Sequence, residues 1–359
     1  MIYGVILAGG KGERFWPLSR ASKPKQFLRL TSDKMMLEDT IDRVLPIIPY
    51  ENIKIVTSAS MENFILDNIE QLDISNIIGE PSGRNTCIAI GLAATHLIQQ
   101  DENAVLVVLS ADHLIKPAEK LRDILKAGCK IAEEEEKLIT IGILPSRPET
   151  GYGYIKLGEE YPQDSEYTFY QVKGFTEKPK AAVAYEYYYS HNYLWNSGMF
   201  IWSAKAILNA IRNYQPQISE LFEEYAKTIG TKKEKTAREE LYEKVSSISI
   251  DVAVLENATN VLTIKGEIIW DDIGGWNALP RYKNSDSENN VVIGDTVLLD
   301  SFETTVLNDN DGLIACLGVS DMVVVRSGEI TLVAHKTQID RIKELLEKIG
   351  DNENWKNYL

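Results

Sequence analysis

The residue types best suited to chemistry gather near the start of the chain. Leu7, Ala8, Gly9, Gly10, Lys11, Gly12, Glu13 and Arg14 form a glycine-rich run with cations, and Lys25 follows in Lys-Pro-Lys-Gln-Phe (23–27). Glycines let a backbone turn sharply and approach a ligand closely, and the amide N–H groups of such a turn point at phosphate oxygens. Fixed cations beside it suit a nucleoside triphosphate. Displacement at its α-phosphorus releases pyrophosphate, whose growing charge needs donors and cations. The run is neither a GxxxxGK[ST] P-loop nor a clean GxGxxG. On its glycines alone, a tight strand-to-helix connection explains it equally well.

Further strings carry polar groups in patterns with a use. Ser110-Ala111-Asp112-His113 closes an apolar run, and Trp270-Asp271-Asp272-Ile273-Gly274-Gly275-Trp276 holds a second carboxylate pair. An aspartate at a strand end suits Mg²⁺, which takes one or two carboxylates together with phosphate oxygens and water. Gly79-Glu80-Pro81-Ser82-Gly83-Arg84-Asn85-Thr86 precedes a helical run. Ser82, Asn85 and Thr86 are helix-capping types, Arg84 is an anion partner, and Glu80 offers two acceptors to the N1–H and 2-amino donors of guanine. Gly151-Tyr152-Gly153-Tyr154-Ile155, Phe175-Thr176-Glu177-Lys178-Pro179 and Trp195-Asn196-Ser197-Gly198-Met199-Phe200 suit a sugar phosphate. Glu177 and Asn196 can hold hydroxyls, Lys178 the phosphate, and Gly153 can present backbone to the ring. Taken singly, each string would pass for a turn, a helix start or an edge strand. Asp251, in Ser249-Ile250-Asp251 before an apolar run, reads as a helix N-cap.

The elements that must position these groups follow from periodicity. Strand candidates at 2–7, 52–57, 104–109 and 138–142 alternate with helical patterns at 36–45, 61–72, 86–99 and 121–135. This order predicts an α/β fold, a Rossmann-like, mostly parallel mixed sheet flanked by helices, with ligands beyond the carboxyl ends of its strands. Residues 146–202 predict extra strands, partly antiparallel, forming a lobe over the sheet. Residues 203–245 read as helical, with 232–244 a solvated helix. The polar stretch 284–290 reads as a linker or loop. Beyond it come short β-rich runs and a closing helix near 337–349. We therefore expect a catalytic domain over 1–285 and a small β-rich C-terminal domain over 286–359.

Composition narrows the class. The chain has 359 residues, 44% hydrophobic and 25% charged, and a net charge of −15. It is ordinary globular material, and neither nucleic acid nor an anionic membrane is an expected partner. Residues 1–30 run against the trend, with six cations facing the single acid Glu13, which fits a small anionic ligand. No apolar run is long enough to span a membrane, and the first residues read as a strand rather than a leader. Cys87, Cys129 and Cys316 are widely spaced and form no CxxC, so reduced thiols and a cytoplasmic location are expected.

The set of strings resembles one family. LAGGKGERFWPLSR with KPKQF is similar to the N-terminal motif of the sugar-1-phosphate nucleotidyltransferases, and GEPSGRNT to the base and ribose loop of their mannose-1-phosphate guanylyltransferase branch. The resemblance runs over roughly residues 1–285. It implies transfer of GMP from GTP to mannose 1-phosphate. It places Arg14 and Lys25 on the triphosphate and leaving group, and Asp112 and Asp272 on Mg²⁺. Leu7, Ala8, Gly9, Gly10, Gly12, Glu80, Pro81, Ser82, Arg84, Asn85 and Thr86 would bind the nucleotide, and Gly153, Glu177, Lys178 and Asn196 the sugar phosphate. Departures from the pattern are Cys87-Ile88 in place of Ala-Pro, Gly275 in place of Ser, and Asn257 in place of Lys. The tail fits short members that lack a cupin-type isomerase domain, and its β-rich module is a candidate homodimer contact. Two rivals are an enzyme for another hexose 1-phosphate and a silent relative that binds a nucleotide sugar. The retained Lys25, Asp112 and Asp272 count against the silent relative.

Overall fold

Alternating apolar runs and amphipathic stretches do build a layered α/β unit. In the computed structural model, which describes residues 1–359, the chain divides into two compact units, Met1–Gly9 with Glu38–Trp270 and Gly10–Leu37 with Asp271–Leu359. The elements in order are β1 (Ile2–Ala8), α1 (Met36–Val44), β2 (Ile53–Ser58), α2 (Glu62–Asn68), β3 (Ile77–Glu80) and α3 (Thr86–Gln100). There follow β4 (Val105–Ser110), β5 (Leu114–Lys116), α4 (Ala118–Glu134), β6 (Leu138–Ile143), β7 (Tyr154–Tyr161), β8 (Phe169–Thr176), α5 (Ala181–Ser190) and β9 (Tyr193–Ser203). Then come α6 (Ala204–Tyr214), α7 (Pro216–Ala226), α8 (Glu234–Lys244), β10 (Val261–Gly266) and β11 (Ile269–Asp271).

The first unit is organised by a nine-stranded sheet in the order β3-β2-β1-β4-β9-β6-β10-β8-β7. β1, β2, β3 and β4 run parallel, as do β6 and β10, whereas β9 is antiparallel to both β4 and β6. Strands covered on both faces read as continuous apolar runs, and β4 and β6 are such runs. α3 is buried along most of its length, which explains its lack of a polar face. α4 buries one stripe, Leu121, Ile124, Leu125, Cys129, Ile131 and Ala132.

Register places the chemistry at one edge. Ala8 pairs with Thr57, Ser58 with Glu80, and Leu7 with Ser110, so β1 to β4 end together. Antiparallel β9 starts where β6 ends, with Gly142 opposite Asn196, and Tyr154 pairs with both Trp195 and Thr176. Residues 146–202 supply the expected antiparallel strands, and β7 pairs back with β9, so the β7–β8 hairpin curls round on the sheet. β9 itself lies within the sheet, between β4 and β6, because the apolar Met199–Trp202 run is buried on both faces. The helix expected over 61–72 spans only Glu62–Asn68, after a short 3₁₀ turn.

The second unit holds β12 (Val291–Ile293), β13 (Thr296–Leu299), β14 (Thr305–Asn308), β15 (Ile314–Leu317), β16 (Met322–Ser327), β17 (Ile330–His335) and α9 (Ile342–Gly350). β12, β14 and β16 stack in parallel, as do β13 and β15, so the chain coils through repeated rungs. Val291, Val306, Val323 and Val325 fill the interior, and β17 turns back antiparallel to β16. The Trp-Pro-Leu-Ser-Arg segment is anchored inside this unit. Trp16 Nε1 donates to the Tyr358 carbonyl, Trp276 Nε1 to the Trp16 carbonyl, and Arg20 to the Ser327 carbonyl. No helix is long and apolar enough to cross a membrane.

Candidate functional site

Glu80, the last residue of β3, is buried at 6% exposure. The Tyr242 hydroxyl, on α8, donates to its Oε1 at 2.8 Å. Its Oε2 lies on the side of Gly9, where an added Cβ would approach to 3.1 Å. Burial pushes the Glu80 carboxyl up to about 7, against the opposing pull of the Tyr242 hydrogen bond, and burial, with the nearby carboxylate adding to it, raises the Tyr242 phenol. Beyond it Pro81, Ser82 and Gly83 are exposed. Arg84 Nε is engaged by the Tyr242 carbonyl at 2.9 Å. Asn85, at φ 68°, caps α3 by accepting from Thr86 N–H, and Thr86 Oγ1 accepts from Ile250 N–H. Residues 84–86 thus tie the loop to 242–250. Leu7 and Ala8 spend their carbonyls on Ala111 N–H and the Thr57 hydroxyl.

Asp112 follows β4 with its side chain about one-third exposed (34%). The turn is pinned from behind, because Thr40 donates to the Ala111 carbonyl and Arg43 to the His113 carbonyl. Trp270 Nε1 donates to His113 Nδ1 at 3.2 Å, which leaves the proton of the neutral ring on Nε2, 3.9 Å from Asp112 Oδ1. His113 thus turns its Nε2 side toward Asp112. Trp270 packs edge-on against Tyr152, which packs against Trp195, so this turn adjoins the sugar-type strings.

Those three strings converge. A Cβ on Gly153 would fall 2.6 Å from Glu177 Oε2 and 3.3 Å from Asn196 Cβ, and the Gly153 carbonyl accepts from Asn196 N–H. Lys178, at φ 47°, is exposed and pairs with Glu177. Most of the Asn196 side chain is engaged, since Oδ1 accepts from Thr140 and Gly198 N–H while one Nδ2 proton goes to Asp251 Oδ1 at 2.9 Å, which leaves the second amide proton to donate elsewhere. Asp251 is therefore no N-cap. It sits in a π-turn (Asp251–Leu255), and Ser249 caps by accepting from Val252 N–H. Burial, with Glu177 adding repulsion, raises the Asp251 carboxyl to about 6.

In the second unit, Gly12 adopts φ +65°, and a Cβ there would fall 2.2 Å from Lys25 Cβ. This close approach sets Lys25 against the glycine turn, and its ammonium donates to the Asp272 carbonyl at 2.7 Å. Arg14 is exposed, beside Gly275, whose added Cβ would meet Arg14 Cβ at 3.3 Å. Asp271 is held by a two-pronged Arg281 and by Ile273 N–H, while the Asp272 side chain is 31% exposed. Gly10 has open space where a side chain would stand.

No group of three or more His, Cys, Asp or Glu forms a closed metal site. Mg²⁺ does not need one, because one or two carboxylates suffice when phosphate oxygens and water complete the shell. Asp112 in the first unit and Asp272 in the second are each a half-buried hard-oxygen donor of the type that chemistry uses. Cys87 and Cys129 are buried, and burial holds both thiols near 12, so neither is a nucleophile. Sequence reading missed Tyr242 and Asp251. Tyr242 lies in a charged stretch and is marked only by the apolar pair it forms with Leu241. Asp251 has the local look of a cap.

Comparison with known proteins gives one answer over the whole chain. The nucleotidyl transferase family model matches residues 3–289, and that of the mannoseP isomerase/GMP-like β-helix domain matches residues 294–349. A mannose-1-phosphate guanylyltransferase of Escherichia coli is 34% identical over 356 residues, 98% of this chain and 75% of that protein. One from Salmonella typhimurium (strain LT2), ManC, is 35% identical over 353 residues, 97% of this chain and 73% of that protein. A crystal structure from Thermus thermophilus, described as a "mannose-1-phosphate geranyltransferase", has a TM-score of 0.86 at 35% identity and covers 97% of this chain and 99% of its own. The chain spans about three-quarters of the length of these curated relatives.

Proposed function

The chain belongs to the nucleotidyl transferase family, and we propose that it is a mannose-1-phosphate guanylyltransferase, transferring GMP from GTP to α-D-mannose 1-phosphate. A phosphate oxygen of the sugar phosphate attacks the α-phosphorus of GTP in line. A new O–P bond forms, the bond to the bridging oxygen breaks, and pyrophosphate leaves with the electron pair. The attacking phosphate is ionised near neutral pH, so no side chain need act as a strong base. The protein orients the reactants and neutralises charge.

One observation carries this reading most directly. A buried carboxylate at the end of β3 and a Gly153–Glu177–Asn196–Asp251 cluster share the carboxyl edge of one sheet. Glu80 offers its oxygens to the N1–H and 2-amino group of guanine, and the open turn at Gly9, Gly10 and Gly12 offers N–H groups to phosphate. Pro81, Ser82, Arg84, Asn85 and Thr86 shape the base loop, Arg84, Asn85 and Thr86 through the bonds that tie it down. Arg14 and Lys25 act on the triphosphate and the leaving pyrophosphate. Glu177 and Lys178, supported by Gly153 and Asn196, take the sugar phosphate.

Asp112 and Asp272 would each contribute a carboxylate to Mg²⁺, which when bound neutralises phosphate charge. Residues 1–285 form the proposed catalytic domain and 286–359 the β-rich module, a division the two family matches support, while residues 10–37 and 271–285 pack in one compact unit with that module. Exposed Val297, Leu299 and Leu317 on β13 and β15 support a contact between copies of the chain through that module. Three buried, unpaired thiols support a cytoplasmic location.

The test is pyrophosphate release with Mg²⁺, crossing GTP, ATP, UTP and dTTP with mannose, glucose and galactose 1-phosphates. Release confined to GTP with mannose 1-phosphate is the expected result. Another productive pair would overturn the substrate assignment. No release with any pair would overturn the activity.

A further inference from the structure

Behind the base loop, within the first unit, lies a second cavity of about 730 Å³, the size of a small-metabolite site. Its walls come from β2, the start of α2, the turn before β3, β3 itself, α3, the 229–232 loop and α8. Gly79 and Pro81 form part of it, and Glu80 between them does not.

Its floor contains an ammonium short of acceptors. Lys54, on β2, is only 5% exposed, and the Ser75 carbonyl takes one of its protons at 2.8 Å. Asp73 acts on it only through space, and burial lowers its pKa. A buried ammonium carries three donors and is costly to hold away from water, so an open cavity beside it invites an anion. Three lysines, at 54, 232 and 235, face the cavity against Glu62 and Glu239. Arg238 and Glu234 cancel each other in an ion pair at 2.6 Å. Ile74, Ile77 and Ile229 add an apolar wall.

The cavity is wired to the base loop. Arg238 lines it and donates to the Gly79 carbonyl at 3.1 Å. One turn further along α8, Tyr242 holds Glu80 Oε1, and its carbonyl receives Arg84 Nε. Movement of α8 therefore reaches both ends of the loop.

We propose that this cavity binds a small phosphate monoester, with the phosphate on Lys54 and the organic body against the isoleucines, and that its occupancy alters the affinity for GTP through α8. The coupling, though not the binding, rests on the guanine role given to Glu80.

Calorimetric titration with inorganic phosphate and with phenyl phosphate tests the binding, using wild type, Lys54→Met, Lys25→Ala and the double surface variant Lys232→Glu/Lys235→Glu. A binding event kept in Lys25→Ala and weakened about tenfold or more in Lys54→Met is expected, with phenyl phosphate the tighter probe. The double variant, whose substitutions lie on exposed side chains, should weaken it too and decides the matter if Lys54→Met does not fold. No binding, binding lost in Lys25→Ala, or binding equal in the variants overturns the site. The coupling is read as a shift in the KM for GTP on adding phenyl phosphate, present in wild type and absent from the double variant. A KM unmoved while phenyl phosphate binds overturns the coupling alone, and the substrate crossing stands apart from both.

Discussion

Glu80 should make GTP recognition depend on pH in a narrow window. Burial holds its carboxyl near 7, and guanine needs the ionised form as a double acceptor. At pH 6 about one-tenth of the free protein would carry the carboxylate, and at pH 8 about nine-tenths. The KM for GTP should thus rise several-fold to tenfold between pH 8 and pH 6, with the KM for mannose 1-phosphate moving far less. The Tyr242 hydrogen bond stabilises the charged form, so Tyr242→Phe should move the midpoint upward. A bond to a charged acceptor of about 1.5 kcal/mol corresponds to about one pH unit. Glu80→Gln should abolish the pH dependence and weaken GTP about tenfold or more. It should also erase the preference for GTP over inosine triphosphate, which lacks the 2-amino donor.

The same shift makes a stability statement. The native carboxyl holds its proton up to about 7, whereas the unfolded one releases it near 4.5. Stability is therefore full below the lower value and falls as pH rises through the upper one, by at most about 3 kcal/mol. Glu80→Gln should raise the Tm at pH 8 and not at pH 4. Steady-state kinetics in GTP from pH 6 to 8, with thermal melts at both extremes, decide the matter. A flat KM in wild type, or a midpoint unmoved by Tyr242→Phe, would refute the reasoning.

The other consequences concern the sugar cluster and the thiols. Gly153→Ala forces a methyl toward Glu177, which costs about 1–3 kcal/mol in displaced contacts. The KM for mannose 1-phosphate should rise about tenfold with that for GTP nearly unchanged, and equal effects on both would contradict the cluster's role. Asp251→Ala strands the Asn196 amide, about 1–3 kcal/mol. The Tm should fall by a few degrees and sugar-phosphate affinity with it, whereas Asp251→Asn should recover most of the Tm. Cys87 and Cys129, held near 12, should resist a disulfide exchange reagent at pH 8 in the native protein and react after denaturation, and fast native labelling of either would count against their burial.

Local signals carried much of the fold. Period-two and helical patterns, with Gly and Pro punctuation, located β1, β2, β4 and β6 and three of the four helices among them to within a few residues. β3 escaped because its four residues, Ile-Ile-Gly-Glu, are too short for a period. The insertion of β9 between β4 and β6 is a long-range choice, made by burial of both faces, and no local pattern states it. The candidate site divides in the same way. Strings such as Gly-Tyr-Gly-Tyr and Trp-Asn-Ser-Gly mark themselves by residue type, so Gly153, Glu177 and Asn196 could be grouped before any coordinates. The partners that set their electrostatics come from distant segments. Asp251 lies 55 residues from Asn196, and Tyr242 lies 162 from Glu80. Asn196 shows the consequence. Its type suggested a sugar hydroxyl, and the distant partners Thr140, Gly198 and Asp251 take its oxygen and one amide proton, fixing how the remaining proton is presented.

The central claim is that the GMP portion of GTP moves onto the sugar phosphate. Parallel reactions with GTP labelled at the α-phosphate and at the γ-phosphate, each with mannose 1-phosphate and Mg²⁺, test it most directly. The account predicts the α-label in GDP-mannose and the γ-label in pyrophosphate, in equal amounts. A γ-label carried onto the sugar, or an α-label that stays in free guanine nucleotide while mannose 1-phosphate is consumed, would contradict it.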